Sequence, residues 1–414
     1  MTKLMYFLLV LYSFGISLFS PRGNILALLT MGLLFFCVVD ILRQMRKIKV
    51  HTLLPPEMIM ALSFVASGLI SAFFFAQRQM VGYQTSIMIA QLTVVMIAEV
   101  FVIRKDNAMD FTCWSMLIAL LIAVVGFIFL GQSFRGSTRM SLEGVNPNSL
   151  SMLFVNGAFL LLFIQIGKSR KFKALAFFLV LLFCYGIILT GSRKSLLGIA
   201  FLLLLWLMLS LLPGTQRSTK LRILSVSVLL VIVLVIVYFF TPLKDMVMFE
   251  RLFSDLNSGD EARMGMYKEG YAFFLESPVF GIGPGNFSVR SSYRTYSHST
   301  YIESLSGFGI VGSIFFFGML IIIFVKLVKS AYFSNQSKDV VGFQRSMLCI
   351  AMLGTYAALG LGVIYFYSLP AYILFGFLSG FAAMQLDKYR TKVIRFDPKP
   401  IRSLVPIKDS KEIV

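Results

Sequence analysis

The sequence predicts an all-α integral membrane protein of about twelve transmembrane helices, with one large structured extracytoplasmic loop between spans nine and ten. Three observations carry that prediction. Apolar residues make up 58% of the chain and charged residues 14%, with a mean hydropathy of +0.84, well outside the range of soluble domains. Apolar stretches of about 17–25 residues recur with short polar punctuation, the length an α-helix needs to cross the hydrocarbon layer, so helices rather than a barrel are the spanning units. Residues 242–300 then interrupt the pattern with six Lys or Arg and seven Asp or Glu.

Taken in order, the expected spans are 4–19, 25–42, 54–76, 83–103, 112–131, 149–167, 174–190, 195–212, 223–241, 301–325, 346–366 and 371–386. The first follows Lys3 and is read as an uncleaved span, because no small-residue cleavage site follows it and Pro21-Arg22-Gly23-Asn24 reads as a tight turn. Basic residues orient the bundle with both termini inside: Arg43, Arg46, Lys47, Lys49, Arg104, Lys105, Lys168, Arg170, Lys171, Lys173, Arg217, Lys220, Arg222, Lys326, Lys329 and the tail fall on one side. Four units result: a nine-span bundle over 1–241, an extracytoplasmic loop with short helices over 242–300, three helices over 301–387, and a basic cytoplasmic tail over 388–414.

The net charge of +19 is accounted for by this topology and by attraction to anionic membrane lipids, so no nucleic acid is implied. Cys37, Cys113, Cys184 and Cys349 lie in or at the ends of apolar spans with no metal-ligand spacing, and read as packing residues.

The long loop carries local structure. Ser258-Gly259-Asp260-Glu261 fits a capping box opening a helix to about Glu276, where Ser277-Pro278 stops it. Arg263, Tyr267 and Tyr271 are spaced by four and share one face. Arg263 sits in the first turn, where the dipole disfavours a cation. Two readings stay open for it: a solvated partner of Asp260 or Glu261, or a bidentate anion ligand.

The run Gly281-Ile282-Gly283-Pro284-Gly285-Asn286-Phe287 either lets backbone amides such as that of Gly283 approach a phosphate, or is a plain turn. Thr300 and Glu303 form a second possible capping box at the start of span ten, which competes with a substrate-binding role for Glu303. His298 lies just before that helix N-terminus, where amides and dipole attract anions and an imidazolium would add to the attraction; a plain interfacial histidine is the alternative. His51, beside a basic inner loop, fits the plain case.

Two outward turns complete the set. Thr190-Gly191-Ser192-Arg193-Lys194 packs two cations into a tight hairpin against the positive-inside trend, which snorkelling explains for one cation and an anionic ligand explains for two. The stretch from Arg139 to Ser149 contains Asn146-Pro147-Asn148, either a cap for span six or, through Arg139 and Asn148, part of a binding surface.

Absences narrow the chemistry. Outward acids all lie between 143 and 303, without an acidic pair suited to a divalent metal, and the chain has no Walker loop, dinucleotide fingerprint or His-Glu-x-x-His helix. No metal and no cofactor are therefore expected. A site built from Arg193, Arg263 and His298 fits a large diphosphate anion delivered by a lipid.

Gly191-Ser192-Arg193, the late loop with Arg263, the stretch PVFGIGPGNF from Pro278 to Phe287, His298, and Gly307-Phe308-Gly309-Ile310-Val311-Gly312 together resemble the O-antigen ligase and Wzy-type polysaccharide polymerase superfamily. Where that family shows His-Asn-x-Tyr/Phe-Leu/Ile, this chain has His298-Ser299-Thr300-Tyr301-Ile302, a departure that bears on any amide contact made there. The resemblance implies a metal-independent glycosyltransferase using undecaprenyl-diphosphate-linked oligosaccharide outside the bacterial cytoplasmic (inner) membrane. Arg193 and Arg263 would grip the diphosphate, and His298 would be the acceptor's base or a further diphosphate ligand. Arg139, Asn148, Ser192, Lys194, Tyr267, Gly283, Tyr301 and Glu303 are the candidate substrate-binding residues.

Within the family the expectation is a capsule or O-antigen polymerase, with a flippase and a chain-length regulator as candidate partner proteins. The alternatives are a ligase moving glycan to another acceptor, and a transporter or flippase of lipid-linked oligosaccharide. Transport fits less well, since Asp40, Glu57 and Glu99 lie near span ends and the middles of the spans are almost bare of charge. A cell-wall glycan polymerase of the shape and elongation type is a further possibility.

Overall fold

The computed structural model describes residues 2–14, 28–33, 35, 36, 39, 55–104, 108–133, 139–143, 145–210 and 257–396. The helices are α1 Thr2–Phe14, α2 Pro56–Phe74, α3 Gln79–Arg104, α4 Met109–Leu130, α5 Pro147–Gln165, α6 Arg170–Thr190, α7 Arg193–Ser210, α8 Asn257–Glu276, α9 Phe287–Arg290, α10 Thr300–Gln336, α11 Val340–Leu359 and α12 Leu369–Phe396. Between α4 and α5, β1 (Gln132–Ser133) pairs antiparallel with β2 (Met140–Ser141), in the register Gln132 to Ser141. Among the described residues eight helices are long and apolar enough to cross a membrane: α2 to α6, α10, α11 and α12 as far as Tyr389. Apart from that short hairpin, the described residues form a helical multi-pass membrane protein. The expected span at 223–241 lies outside the described residues, and of the one at 25–42 only residues 28–33, 35, 36 and 39 are described, all helical.

Three helix ends differ from the hydropathy reading, the simplest being α12, which runs on to Phe396 past the expected end at 386. α10 does not stop near 325 but continues to Gln336. Lys326, which ends the apolar run, donates to both oxygens of Glu57 on α2 at 2.5 and 2.6 Å, and Ser379 of α12 donates to the same carboxylate at 2.6 Å. A paired charge costs far less to bury than a lone one, so the helix passes through it. α11 ends at Leu359, not near 366, because a tight turn follows: Gly360 N–H donates to Tyr356 O and Gly362 N–H to Leu359 O, both at 2.9 Å.

The packing that positions the site lies between α2 and α10. Between apolar helices in lipid there is no hydrophobic drive to associate, so close backbone approach and van der Waals contact must supply it. Ser67, Gly68, Ser71 and Ala72 give α2 a small-residue face, buried along with Gly307, Gly309 and Gly312 of α10. Around it Phe64, Phe308, Phe316 and Phe366 form a ring cluster with centroids 4.4–5.8 Å apart, each pair adding about 0.5–1.5 kcal/mol.

α10 is broken at Gly309, which has φ 64° and ψ −165°. The segment 278–283 lies along the break and satisfies it. Ile282 N–H donates to Ser306 O at 2.8 Å and Gly283 N–H to Gly307 O at 3.1 Å, while Ile310 N–H donates to Pro278 O at 2.8 Å and Val311 N–H to Val279 O at 3.1 Å. Irregular backbone at membrane depth survives only where protein pairs its polar groups, and this strap does so. The glycines are required by approach: a Cβ on Gly309 would lie 2.4 Å from the Val279 carbonyl group, and one on Gly281 2.5 Å from Gly307 C.

Candidate active site

The site begins at the junction of α6 and α7. α6 ends in Gly191, in the left-handed region at φ 62° and ψ 26°, with its N–H donating to Ile188 O. Glycine takes this conformation without Cβ strain. Only Gly191 and Ser192 separate the helices, so Arg193 and Lys194 open α7. They are about 100° apart around the axis. Lys194 points to the end of α11, where its Nζ donates to the Gly362 carbonyl.

That helix end gathers several candidate residues. Tyr301 OH donates to Ala357 O and Tyr267 OH to Leu361 O, each at 2.7 Å. Thr300 N–H donates to Gly360 O at 2.8 Å and Thr300 Oγ1 to Val363 O at 2.5 Å. The last carbonyls of a helix lack intrahelical partners and carry partial negative charge. Here hydroxyls from α8 and α10 and the ammonium from α7 satisfy them, which ties three elements to one turn.

His298 lies two residues before Thr300, half-buried, at φ 60°. A non-glycine residue held there costs about 1–3 kcal/mol and is kept by its surroundings. Its ring lies 4.4 Å from that of Tyr296, tilted by 55°. Burial, then the charges of Lys194 and Arg263, push its pKa down to about 4. At neutral pH it is an uncharged imidazole in the field of two cations, able to accept a proton. Lys194 is thus the member of the Arg193-Lys194 pair whose field acts on the histidine.

The residues around His298 are held tightly. Ser299, not Thr300, is the N-cap of α10, its side chain accepting from Ile302 N–H. The expected Thr300 and Glu303 capping box is therefore replaced: Thr300 turns to the α11 end, and Glu303, 1% exposed, accepts the N–H of Ser297 at 2.8 Å. Tyr367 OH donates to the other Glu303 oxygen at 3.4 Å and accepts from Gly285 N–H at 3.2 Å. The Gly283 amide, a candidate phosphate contact, is committed to Gly307 O. The side chains of the Ser258–Glu261 capping box lie outside the described residues; α8 does run to Glu276, as the Ser277-Pro278 stop implies.

A second cluster forms behind the α6–α7 junction. Arg139, beside β2, donates through Nε to Thr190 O at 3.0 Å and through Nη2 to Asn148 Oδ1 at 2.9 Å. Asn146 caps α5 by accepting Asn148 N–H at 2.8 Å. Ser192, buried, donates to Ser195 Oγ at 3.2 Å, which meets Ser151 Oγ at 2.6 Å. Arg139, Asn148 and Ser192 thus brace the junction that presents Arg193 and Lys194.

Below the α11 end a cleft of about 490 Å³ runs between α7, α10 and α11. Thr300, Tyr301 and Gly360 stand at its polar end, and Leu205, Phe317, Leu320, Phe324 and Leu353 are among its apolar walls. Sequence reasoning missed this cleft, the carbonyl-bearing turn 360–363 and Tyr367. The signal available was Gly360-Leu361-Gly362 followed by Tyr365-Phe366-Tyr367, a break inside what reads as one apolar span.

Comparison with known proteins agrees with the motifs. Residues 177–317 match the family described as O-Antigen ligase. A curated relative, the "Teichuronic acid biosynthesis protein TuaE" of Bacillus subtilis (strain 168), is 28% identical over 185 residues, 41% of this chain and 38% of that protein, so well under half the relative's length is matched. Among solved structures, a chain from "Structural coordination of polymerization and crosslinking by a peptidoglycan synthase complex" superposes over 81% of this chain and 97% of its own, at 16% identity and a TM-score of 0.45. The matched segment contains Arg193, Lys194, Arg263 and His298, and over that segment, about a third of its length, the chain is similar to the O-antigen ligase family.

Proposed function

We propose that this protein is a polysaccharide polymerase, a metal-independent glycosyltransferase that moves glycan from an undecaprenyl-diphosphate-linked donor to a lipid-linked repeat unit on the outer face of the cytoplasmic membrane. The observation that carries the reading is an uncharged His298 flanked by Lys194 and Arg263, beside the polar end of an apolar cleft. The cations suit a diphosphate, and the cleft suits the chain that carries it.

In the transfer, the acceptor sugar's hydroxyl oxygen attacks the donor's anomeric carbon. The bond from that carbon to the diphosphate oxygen breaks and its electron pair leaves with the diphosphate. His298 takes the hydroxyl proton. Arg193, Lys194 and Arg263 stabilise the charge gathering on the leaving group, an electrostatic effect that commonly dominates such catalysis. The relative's name, which places it in teichuronic acid biosynthesis, supports polymer synthesis. The family's description favours a second reading, ligation to a different acceptor.

Purified protein given lipid-linked repeat units, no nucleotide and excess chelator should lengthen the glycan. Loss of all activity to chelator overturns the metal-independent mechanism. Transfer only to a separate lipid or protein acceptor replaces polymerase by ligase. In cells, His298→Ala should stop chain growth while single lipid-linked units accumulate within reach of an external glycan probe. Accumulation on the inner leaflet would instead mark a transporter.

A further inference from the structure

We propose that Glu303 and Tyr367 are positioning residues that hold His298 in its reactive orientation. The proposal rests on the reading of His298 as the group that takes the acceptor proton. Neither residue donates to or accepts from the imidazole among the described contacts; they act on the backbone beside it.

The geometry is a relay between two loops. Glu303 is buried one turn into α10, where a carboxylate needs partners. One oxygen accepts the Ser297 N–H at 2.8 Å, immediately before His298, and the other receives the Tyr367 hydroxyl at 3.4 Å. Tyr367 in turn accepts the Gly285 N–H at 3.2 Å, two residues past the segment that straps the break in α10. After the histidine, Ser297 Oγ donates to Ser299 O at 3.1 Å and Ser299 caps the helix. His298 is therefore pinned on both sides at a positive φ that it would not keep unaided. Glu303 also lies close enough to Tyr296, whose ring packs on the imidazole, to help raise the phenol's pKa, after burial.

Only two histidines occur in the chain, His51 and His298, which gives a direct probe. In a His51→Gln background, diethyl pyrocarbonate can acylate one imidazole, read by peptide mass. Tyr367→Phe removes a single oxygen. It should raise the rate of His298 modification about threefold or more, as for a segment that opens more often. The same variant should lower kcat for glycan lengthening about 10-fold with KM within about twofold, the pattern of an interaction that counts in the transition state. Glu303→Gln, which keeps an acceptor for Ser297 N–H, should fall between Tyr367→Phe and the parent in both readouts. Equal His298 modification rates in the parent and both variants would overturn the proposal. So would a loss confined to KM. If the unsubstituted protein fails to lengthen glycan, the transfer reading fails while the modification rates still decide whether the relay holds the histidine.

Discussion

Lys194, in the first turn of α7, donates its ammonium to the carbonyl of Gly362, 168 residues further along the chain. The contact joins a helix start to a helix end. It fixes the direction of Lys194 and places that cation where its charge acts on His298.

From the sequence alone, Lys194→Ala is expected to be milder than Arg193→Lys, since a neighbour in a turn points elsewhere. In the structure Lys194 nevertheless carries contacts of its own. Lys194→Ala removes a cation from the site and leaves the Gly362 carbonyl without that donor, so it should lower kcat about 100-fold at normal protein level, the size found on removing one electrostatic stabiliser. Arg193→Lys keeps the charge and loses the planar fork; reduced polymer with unchanged abundance is the expected result. Quantifying polymer against membrane protein level in each strain checks both.

The histidine predicts a pH signature. In the free protein His298 is held down to about 4 by burial and by Lys194 and Arg263, so kcat/KM should keep its base-competent form as pH falls through 6 and lose it near pH 4. Bound diphosphate supplies negative charge and favours the imidazolium, so the acid limb of kcat should lie higher than that of kcat/KM. Lys194→Ala removes one of these repulsions and should move the kcat/KM limb upward. For stability the sign follows from the depressed value: the folded state disfavours protonation, so the contribution is full above the ordinary histidine range near 6.5 and is lost as pH falls towards 4. Rate profiles and thermal melts over that window test both statements.

The break in α10 should tolerate no side chain. Gly309→Ala places a Cβ 2.4 Å from the Val279 carbonyl group at a φ of 64°. The left-handed conformation and the overpacking together should cost about 2–5 kcal/mol. Lower yield of monodisperse protein and a reduced Tm in detergent are expected, against a parent-like result for a substitution at exposed Ile314.

Topology is tested by labelling. Ser291 is buried and donates to Glu269 at 2.6 Å, whereas its neighbour Ser292 is exposed. With Cys37 replaced by Ser, and Cys113, Cys184 and Cys349 buried, a cysteine at Ser292 should react with an impermeant thiol reagent on intact cells. Reaction only after the cells are opened would reverse the orientation and remove the proposed outer-face chemistry.

Much of the helix pattern was legible before any coordinates. A bilayer leaves no backbone polar group unpaired, so long apolar runs must be helical, and α2 to α6 follow the expected spans closely. Local capping chemistry was legible for the same kind of reason: Asn146 caps α5, and α8 stops at Glu276 before Pro278, because these effects involve residues a few positions apart. The candidates His298, Arg263 and Lys194 could also be picked out, since charges and an imidazole are conspicuous against so apolar a background.

What those groups do depended on contacts that no periodicity encodes. α10 runs on through Lys326 because Glu57, 269 positions away, neutralises it. Gly283 spends its amide on Gly307 because Gly309 breaks the facing helix and leaves carbonyls to satisfy. Glu303 faces Ser297 and Tyr367 and leaves the capping of α10 to Ser299. Hydropathy selects which segments enter the membrane, since each residue's transfer energy is its own. The direction a polar side chain takes within the bundle is set by which unpaired backbone or charged group comes within 3 Å of it, and that exists only once distant helices have packed.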